Sequence, residues 1–310
     1  MKKVKKKNVL MVVILIVILI IGGGVGIKTY KYLNSDEYHL KELGYSEKEI
    51  KTILKMEKKE IETILDLEYN EHMVSLFQEK YFILSNLNKY LDYKEKNKEK
   101  NYTDTVAIIN VGADKDWYGE PKATKMSDEY LILVNKFNYL EEGYTPEDLV
   151  DMGLQYAFSG KKIREEVYTA FKRMVKDAKK EDLTIVANST FRTYDYQQGL
   201  YTRYKNDYGK EYADSYAARP GHSEHQTGLA IDVSTLNSTM SNFEETDEFA
   251  WLQEHAHEYG FILRYPKGKE FLTGYNYESW HYRYIGEEVA NEIHTLGITF
   301  DEYYAYYINK

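Results

Sequence analysis

His225 and Asp232 stand seven residues apart in the segment Ser223-Glu224-His225-Gln226-Thr227-Gly228-Leu229-Ala230-Ile231-Asp232. Further along, Glu278-Ser279-Trp280-His281 sets a carboxylate three residues before a histidine. Zinc in hydrolases takes three protein N or O ligands and leaves a fourth position for water, whose pKa falls toward ~7. Two histidines and an aspartate meet that count, and Glu278 is then free to act as a base. The chain has no cysteine. Disulfides, thiol nucleophiles and thiolate metal sites are therefore excluded, which leaves His and carboxylates as the plausible ligands. Spacing alone does not settle the geometry, because the two segments lie far apart and no HExxH helix joins them.

The other six histidines carry less chemistry. His222 lies three residues from His225 and reads as a loop contact, while His255 and His257 read as part of a surface helix. His39, His72 and His294 sit in charged helical surroundings and read as solvated, and Glu224 reads as a loop carboxylate rather than a ligand.

The elements that must position these residues form a mixed α+β pattern. Ala230–Val233 reads as a strand entered through a turn at Gly228, which lets a loop and its following strand bring His225 and Asp232 to one point. Tyr282–Ile285 and Leu183–Ala187 also read as strands. Trp251–Tyr259 reads as a helix stopped by Gly260, and Glu287–Leu296 as one stopped by Gly297. Ile163, Val167, Phe171, Met174 and Ala178 recur at helical spacing, and Thr145-Pro146-Glu147-Asp148 reads as a helix start. Val106–Ile109 and Leu131–Val134 read as short apolar runs between turns.

Ahead of this region lies a different composition. Ser46 and Glu49 form a capping box before Ile50, Ile53, Leu54, Ile61, Ile64 and Leu65, so residues 36–100 read as helical hairpins acting as a stalk or accessory segment. Asn86–Asn101 is very polar and reads as a linker or an exposed helix end, with the catalytic domain spanning 101–310.

Residues 1–35 form a third division. Lys2, Lys3, Lys5, Lys6 and Lys7 precede the uncharged apolar run Val9–Ile27. Its 19 residues span roughly 28 Å as a helix, close to a ~30 Å hydrocarbon core. The lysines predict a cytoplasmic N-terminus and an extracellular catalytic domain, and the length of the run with no small-x-small cleavage site behind it predicts a single uncleaved membrane pass. Residues 1–35 hold seven lysines and no acids, so the remainder carries −9 − 7 = −16 at neutral pH, which argues against a nucleic-acid partner.

The two-part pattern Ser223-x-His225-x-x-Gly228-x-Ala230-x-Asp232 and Glu278-x-Trp280-His281 resembles the signature of the VanY-type D-alanyl-D-alanine carboxypeptidases, LAS-type zinc peptidases with a hedgehog-like fold. Ser189-Thr190-Phe191-Arg192-Thr193-Tyr194-Asp195-Tyr196-Gln197 is similar to the family's SGYRSYxxQ segment, with Thr190, Phe191 and Thr193 departing from it. The likeness covers roughly Val106 to Leu296.

The resemblance implies a small antiparallel sheet with flanking helices. It also implies one Zn2+ per chain on His225, Asp232 and His281, and Glu278 as the general base. Arg192 is then the candidate electrophile, since a fixed guanidinium would stabilise charge growing on the carbonyl oxygen. Gln197 and Ser223 match polar family positions and are candidate substrate-binding groups. The implied reaction is hydrolysis of the C-terminal D-alanine bond of peptidoglycan stem peptides. L,D-carboxypeptidase or endopeptidase action on the same site, or a non-catalytic wall-binding role, are the alternatives.

Overall fold

The computed structural model describes residues 28–236 and 240–309. The anchor expected at Val9–Ile27 lies outside them. Among the described residues, no helix is long and apolar enough to cross a membrane. The chain divides into two compact units, one ending at Val106 and one beginning at Ala107.

The first unit is a set of short helices. They are α1 (Asp36–Leu43), α2 (Glu47–Ile53), α3 (Lys58–Leu65), α4 (Met73–Phe77), α5 (Leu87–Lys96) and α6 (Tyr102–Val111), the last continuing across the division. The capping box at the start of α2 is formed, with the Ser46 side chain accepting from the Glu49 amide and Glu49 accepting from the Ser46 amide. Leu40, Ile50, Ile53 and Ile64 are buried. The polar Asn86–Asn101 stretch is mostly helix rather than linker. α5 buries Leu87, Tyr90 and the stem of Lys94, whose ammonium donates to the Lys98 and Lys100 carbonyls. Lys89, Asp92, Glu95 and Lys96 stay exposed on its outer side, whereas the Lys94 ammonium is held by backbone carbonyls. His72 is likewise not merely solvated, because its Nδ1 lies 3.0 Å from the Tyr102 hydroxyl. The Val106–Ile109 run belongs to α6; four apolar residues in a row carry no periodicity to separate strand from helix.

The second unit is built on a four-stranded antiparallel sheet in the order β5 (Val186–Ser189), β6 (Ala230–Ser234), β8 (His281–Tyr284), β7 (Phe261–Leu263). Two small pairs accompany it: β1 (Lys122–Ala123) with β2 (Asn138–Tyr139), and β3 (Leu149–Asp151) with β4 (Lys162–Arg164). The helices are α7 (Glu165–Ala178), α8 (Tyr194–Tyr208), α9 (Lys210–Tyr216), α10 (Asp247–His255), α11 (Glu270–Thr273), α12 (Glu287–Leu296) and α13 (Phe300–Tyr303).

Two local expectations fail here. Thr145–Asp148 does not open a helix but leads into β3, and the Asp148 carboxylate takes Arg164 Nε at 2.9 Å instead of capping helical amides. Ile163 belongs to β4, and the helical stripe begins at Val167. Elsewhere the bounds move by a few residues. The first sheet strand begins at Val186 instead of Leu183, and α10 starts at Asp247, capped by Thr246, with a 3-10 turn from Ala256 to Tyr259 before Gly260.

Strand alternation gives the sheet two different faces. Ile231 and Val233 of β6, with Tyr282 and Tyr284 of β8, join Val167, Phe171 and Met174 of α7 in the main core. Each such apolar side chain contributes about 1.5–3 kcal/mol when fully buried. Asp232, His281 and Arg283 occupy the alternate positions and so face the other way. Asp232 pairs directly with His281 in the β6–β8 register. One side of the sheet thus supplies hydrophobic stability and the other carries charge.

Candidate active site

The turn Glu224–Thr227 ends at Gly228, whose φ of +65° lies in the left-handed region. A Cβ there would come within 2.9 Å of Arg164 Cγ and 3.1 Å of Leu149 Cδ2. Only glycine fits this position without strain, and it turns the chain from the His225 loop into β6.

Three buried side chains converge as a result. His225, Asp232 and His281 each present one ligand atom, and these atoms all lie within 4.8 Å of one another. His225 Nε2 is 3.2 Å from Asp232 Oδ2, and His281 Nδ1 is 3.0 Å from Asp232 Oδ1. The His225 ring is oriented from behind, because its Nδ1 lies 2.7 Å from the Thr190 carbonyl, so Nδ1 carries the hydrogen and Nε2 presents its lone pair. Tyr265 covers the His281 ring at 4.9 Å between centroids.

A β-bulge between Ala187 and Ser189 sets Ser189 opposite Asp232 and so puts the β5 end beside the site. Arg192 follows. Its Nη2 donates to Asp232 Oδ2 at 2.6 Å, its Nε to Ser189 Oγ at 2.9 Å and its Nη1 to Gln197 Oε1 at 3.5 Å. Gln197 is buried and in turn donates to the Ala218 carbonyl at 2.8 Å. Ser223 is buried at the start of the Glu224–Thr227 turn. Glu278 Oε2 lies 3.6 Å from His281 Nδ1, and its side chain keeps 13% exposure, enough to meet a substrate.

The electrostatics divide these groups. Burial, reinforced by the nearby Arg192 guanidinium, lowers His225 to about 4, so it is a neutral imidazole at physiological pH. Burial would raise Asp232, but the charges of His225 and Arg192 outweigh it and hold the carboxylate well below its usual range. Burial would lower His281, but the Asp232 and Glu224 carboxylates beside it raise it to about 9. Burial pushes Glu278 up to about 7, near the pH at which a general base works best.

This donor set fits zinc: two imidazoles and a carboxylate with no thiolate, converging in a buried pocket beside a partly exposed carboxyl group. Because His281 must lose its proton to become a ligand, zinc affinity is expected to rise about tenfold per pH unit between pH 7 and pH 9. Chelator competition across that range, with calorimetry in buffers of different ionisation heat, would show about one proton released per ion bound; a flat profile would contradict it. The sign for stability follows the same proton. His281 stabilises the chelated fold below its ordinary value of 6.5 and loses that contribution as pH rises through about 9.

Beneath the site lies a cluster with no local signal in the sequence. Glu224, Arg264 and Arg283 have fully buried side chains and Asp301 is nearly so. Glu224 is a turn carboxylate outside the ligand group, but a fully buried one. Its Oε1 accepts from Arg264 Nε and Arg283 Nη1, both at 2.8 Å. Arg264 Nη1 also donates to Asp301 Oδ2 at 2.6 Å. The arginines alternate with apolar residues in Leu263-Arg264-Tyr265 and Tyr282-Arg283-Tyr284, a pattern that a solvated strand face would show equally well.

Comparison with known proteins now decides the family. A family model described as VanY, D-alanyl-D-alanine carboxypeptidase, matches residues 160–287. The chain is 40% identical over 184 residues to YodJ of Bacillus subtilis (strain 168), covering 57% of this chain and 67% of that one. It is 32% identical to the vancomycin-resistance D,D-pentapeptidase VanY of a VanB-type cassette, solved as a mutant in complex with Zn(II), with a TM-score of 0.50 over 56% of this chain and 99% of that one. The chain belongs to the VanY family.

The structure of the LdcB LD-carboxypeptidase is also similar, with a TM-score of 0.57 and 38% identity over 60% of this chain and 90% of that one. The aligned residues cover 67% of the Bacillus protein and 65% and 57% of two enterococcal D-alanyl-D-alanine carboxypeptidases. His225, Asp232, Glu278 and His281, together with Arg192 and Gln197, all fall inside the segment matched by the VanY model.

Proposed function

We propose that this VanY-family chain is a zinc D-alanyl-D-alanine carboxypeptidase that removes the terminal D-alanine of peptidoglycan stem peptides. The observation that carries this reading is the convergence of His225, Asp232 and His281 within 4.8 Å, with Glu278 alongside. When bound there, zinc would supply Lewis acidity toward the scissile carbonyl and toward water.

The protein's own groups account for the rest of the reaction. Glu278 accepts a proton from the attacking water and delivers it to the departing D-alanine amine, so one carboxyl serves first as base and then as acid. Arg192, fixed by Ser189, Asp232 and Gln197, brings a positive charge to where the carbonyl oxygen becomes anionic. Gln197 acts here by orienting Arg192, and Ser223 is left as the candidate contact to the peptide. We also place Val9–Ile27 in the membrane, with the catalytic unit outside the cell near its substrate. The long apolar run behind five lysines supports this, and recovery of the full chain in the membrane fraction tests it.

A second reading, cleavage of an L,D bond by the same groups, is favoured by the likeness to LdcB. Incubating the zinc-loaded protein with defined pentapeptide and tetrapeptide muropeptides separates the two. Free D-alanine from pentapeptide supports D,D-cleavage, and release from tetrapeptide alone moves the assignment to L,D-cleavage. If zinc binds and no stem is cut, the carboxypeptidase reading fails and a wall-binding role replaces it.

A further inference from the structure

We infer that Glu224 is a positioning residue for His281: its Oε2 takes the Nε2 hydrogen of His281 and so turns the Nδ1 lone pair toward Asp232 and the metal position. This inference rests on the reading that His225, Asp232 and His281 hold zinc.

Glu224 Oε2 and His281 Nε2 face each other at 3.6 Å in the buried interior. Both atoms are inaccessible to solvent, and neither has a hydrogen-bond partner among the described residues. An unpaired buried acceptor and an unpaired buried donor are each costly, so closing a gap a few tenths of an ångström too long removes both penalties at once. The rest of the Glu224 carboxylate is already committed. Its Oε1 is held by two guanidiniums; Arg283 is itself tied to the Tyr130 and Ile132 carbonyls, and Arg264 to Asp301. Asn135 donates to Asp301 at 2.8 Å and extends the scaffold. Oε2 is thus fixed in space with one direction left open, and His281 Nε2 lies in it.

Charge count supports the same role. Two carboxylates, Glu224 and Asp301, balance two guanidiniums, Arg264 and Arg283. The cluster therefore does not need a charged His281 and can serve a neutral imidazole, the form that ligates metal. His225 is oriented in the equivalent way by the Thr190 carbonyl, so each ligating ring would have its far nitrogen held. A carboxylate behind a ligating histidine fixes the tautomer and raises ligand basicity, and loss of such a partner costs about 10–100-fold in metal affinity.

The test compares zinc affinity by chelator competition in the wild type, Glu224→Gln and Asp301→Asn, with the melting temperature of each chelated protein. Glu224→Gln is expected to weaken zinc about 10–100-fold. Asp301→Asn disturbs the same buried cluster without touching the Glu224–His281 pair, and is expected to lower the melting temperature while leaving zinc affinity unchanged. Equal zinc affinity in wild type and Glu224→Gln, with only the melting temperature reduced, would make Glu224 a purely structural residue and overturn the inference. The 15N shifts of His281 in the zinc-loaded wild type serve even if a variant does not fold. Nε2 protonated and hydrogen-bonded is expected, whereas Nε2 on the metal with Nδ1 protonated overturns the inference and leaves the zinc site standing. A wild type that binds no zinc defeats the underlying reading and this inference together.

Discussion

Replacing Glu278 with Gln is expected to lower kcat by about 10²–10⁴-fold, while zinc content and KM stay at the wild-type level. The loss corresponds to about 3–5 kcal/mol of transition-state stabilisation at 1.36 kcal/mol per decade. Glutamine keeps the shape and polarity of the side chain but can neither take the proton of water nor hand it to the leaving amine. Glu278 is not one of the three grouped ligands, so metal loading should survive. Stability should survive too. Burial raises the Glu278 carboxyl to about 7 from an ordinary 4.5, so the native chelated protein holds more protons than the unfolded chain between those values. Ionising Glu278 therefore costs stability that is fully felt above about pH 7, and Gln removes that cost. A melting temperature of the chelated variant at pH 8 equal to or above wild type, together with dead catalysis, separates chemistry from unfolding. Near-normal kcat in a properly loaded Glu278→Gln protein would remove Glu278 from the mechanism.

Asp232→Ala is expected to abolish zinc binding and activity and to destabilise the chelated protein as well. Asp232 contacts three groups at the centre of the site. It stands 2.6 Å from Arg192, 3.2 Å from His225 Nε2 and 3.0 Å from His281 Nδ1. Removing one partner of a buried ion pair costs about 3–5 kcal/mol because the remaining charge is left uncompensated. Here Arg192 and His281 are both left, on a second unit of about 200 residues, where each kcal/mol lowers the melting temperature by about 2–4 °C. A fall on the order of 6–20 °C follows. The zinc-dependent rise in melting temperature expected of the wild type should vanish in the variant. The comparison with Glu278→Gln is informative, since both should be inactive and only Asp232→Ala should lose the metal. If the Asp232→Ala protein bound zinc at wild-type strength, the ligand assignment would be wrong.

Much of the site was legible because metal chemistry constrains residue type strongly. With no cysteine and eight histidines, few combinations could hold zinc, and the short motifs around His225, Asp232, Glu278 and His281 sit where the chain turns into strands. The glycine stops were legible for a local reason. Gly260 and Gly297 adopt left-handed conformations at helix or turn ends, as their positions after apolar stripes implied. Where reading failed, the deciding interaction was distant. Asp148 looks like a first-turn helix residue, but it is taken by Arg164, sixteen positions on. Glu224 looks like a loop acid, but it is buried by arginines forty and fifty-nine positions away.

The sequence by itself determined the kind of chemistry available, the α+β class and the division between a lysine- and glutamate-rich helical region and the region that carries the site. These properties depend on residue type, period and short-range spacing, all of which are local. Tertiary structure alone decided the convergence. Asp232 meets His281 because β6 and β8 pair in one register, and a slip of one residue in either strand would turn that strand's member of the pair into the hydrophobic core. It also decided which carboxyl groups are charged and which are raised toward neutrality, because burial and the arrangement of Arg192, Arg264 and Arg283 set those values. Local sequence cannot encode them: electrostatic energy depends on distance through a low-dielectric interior, not on separation along the chain.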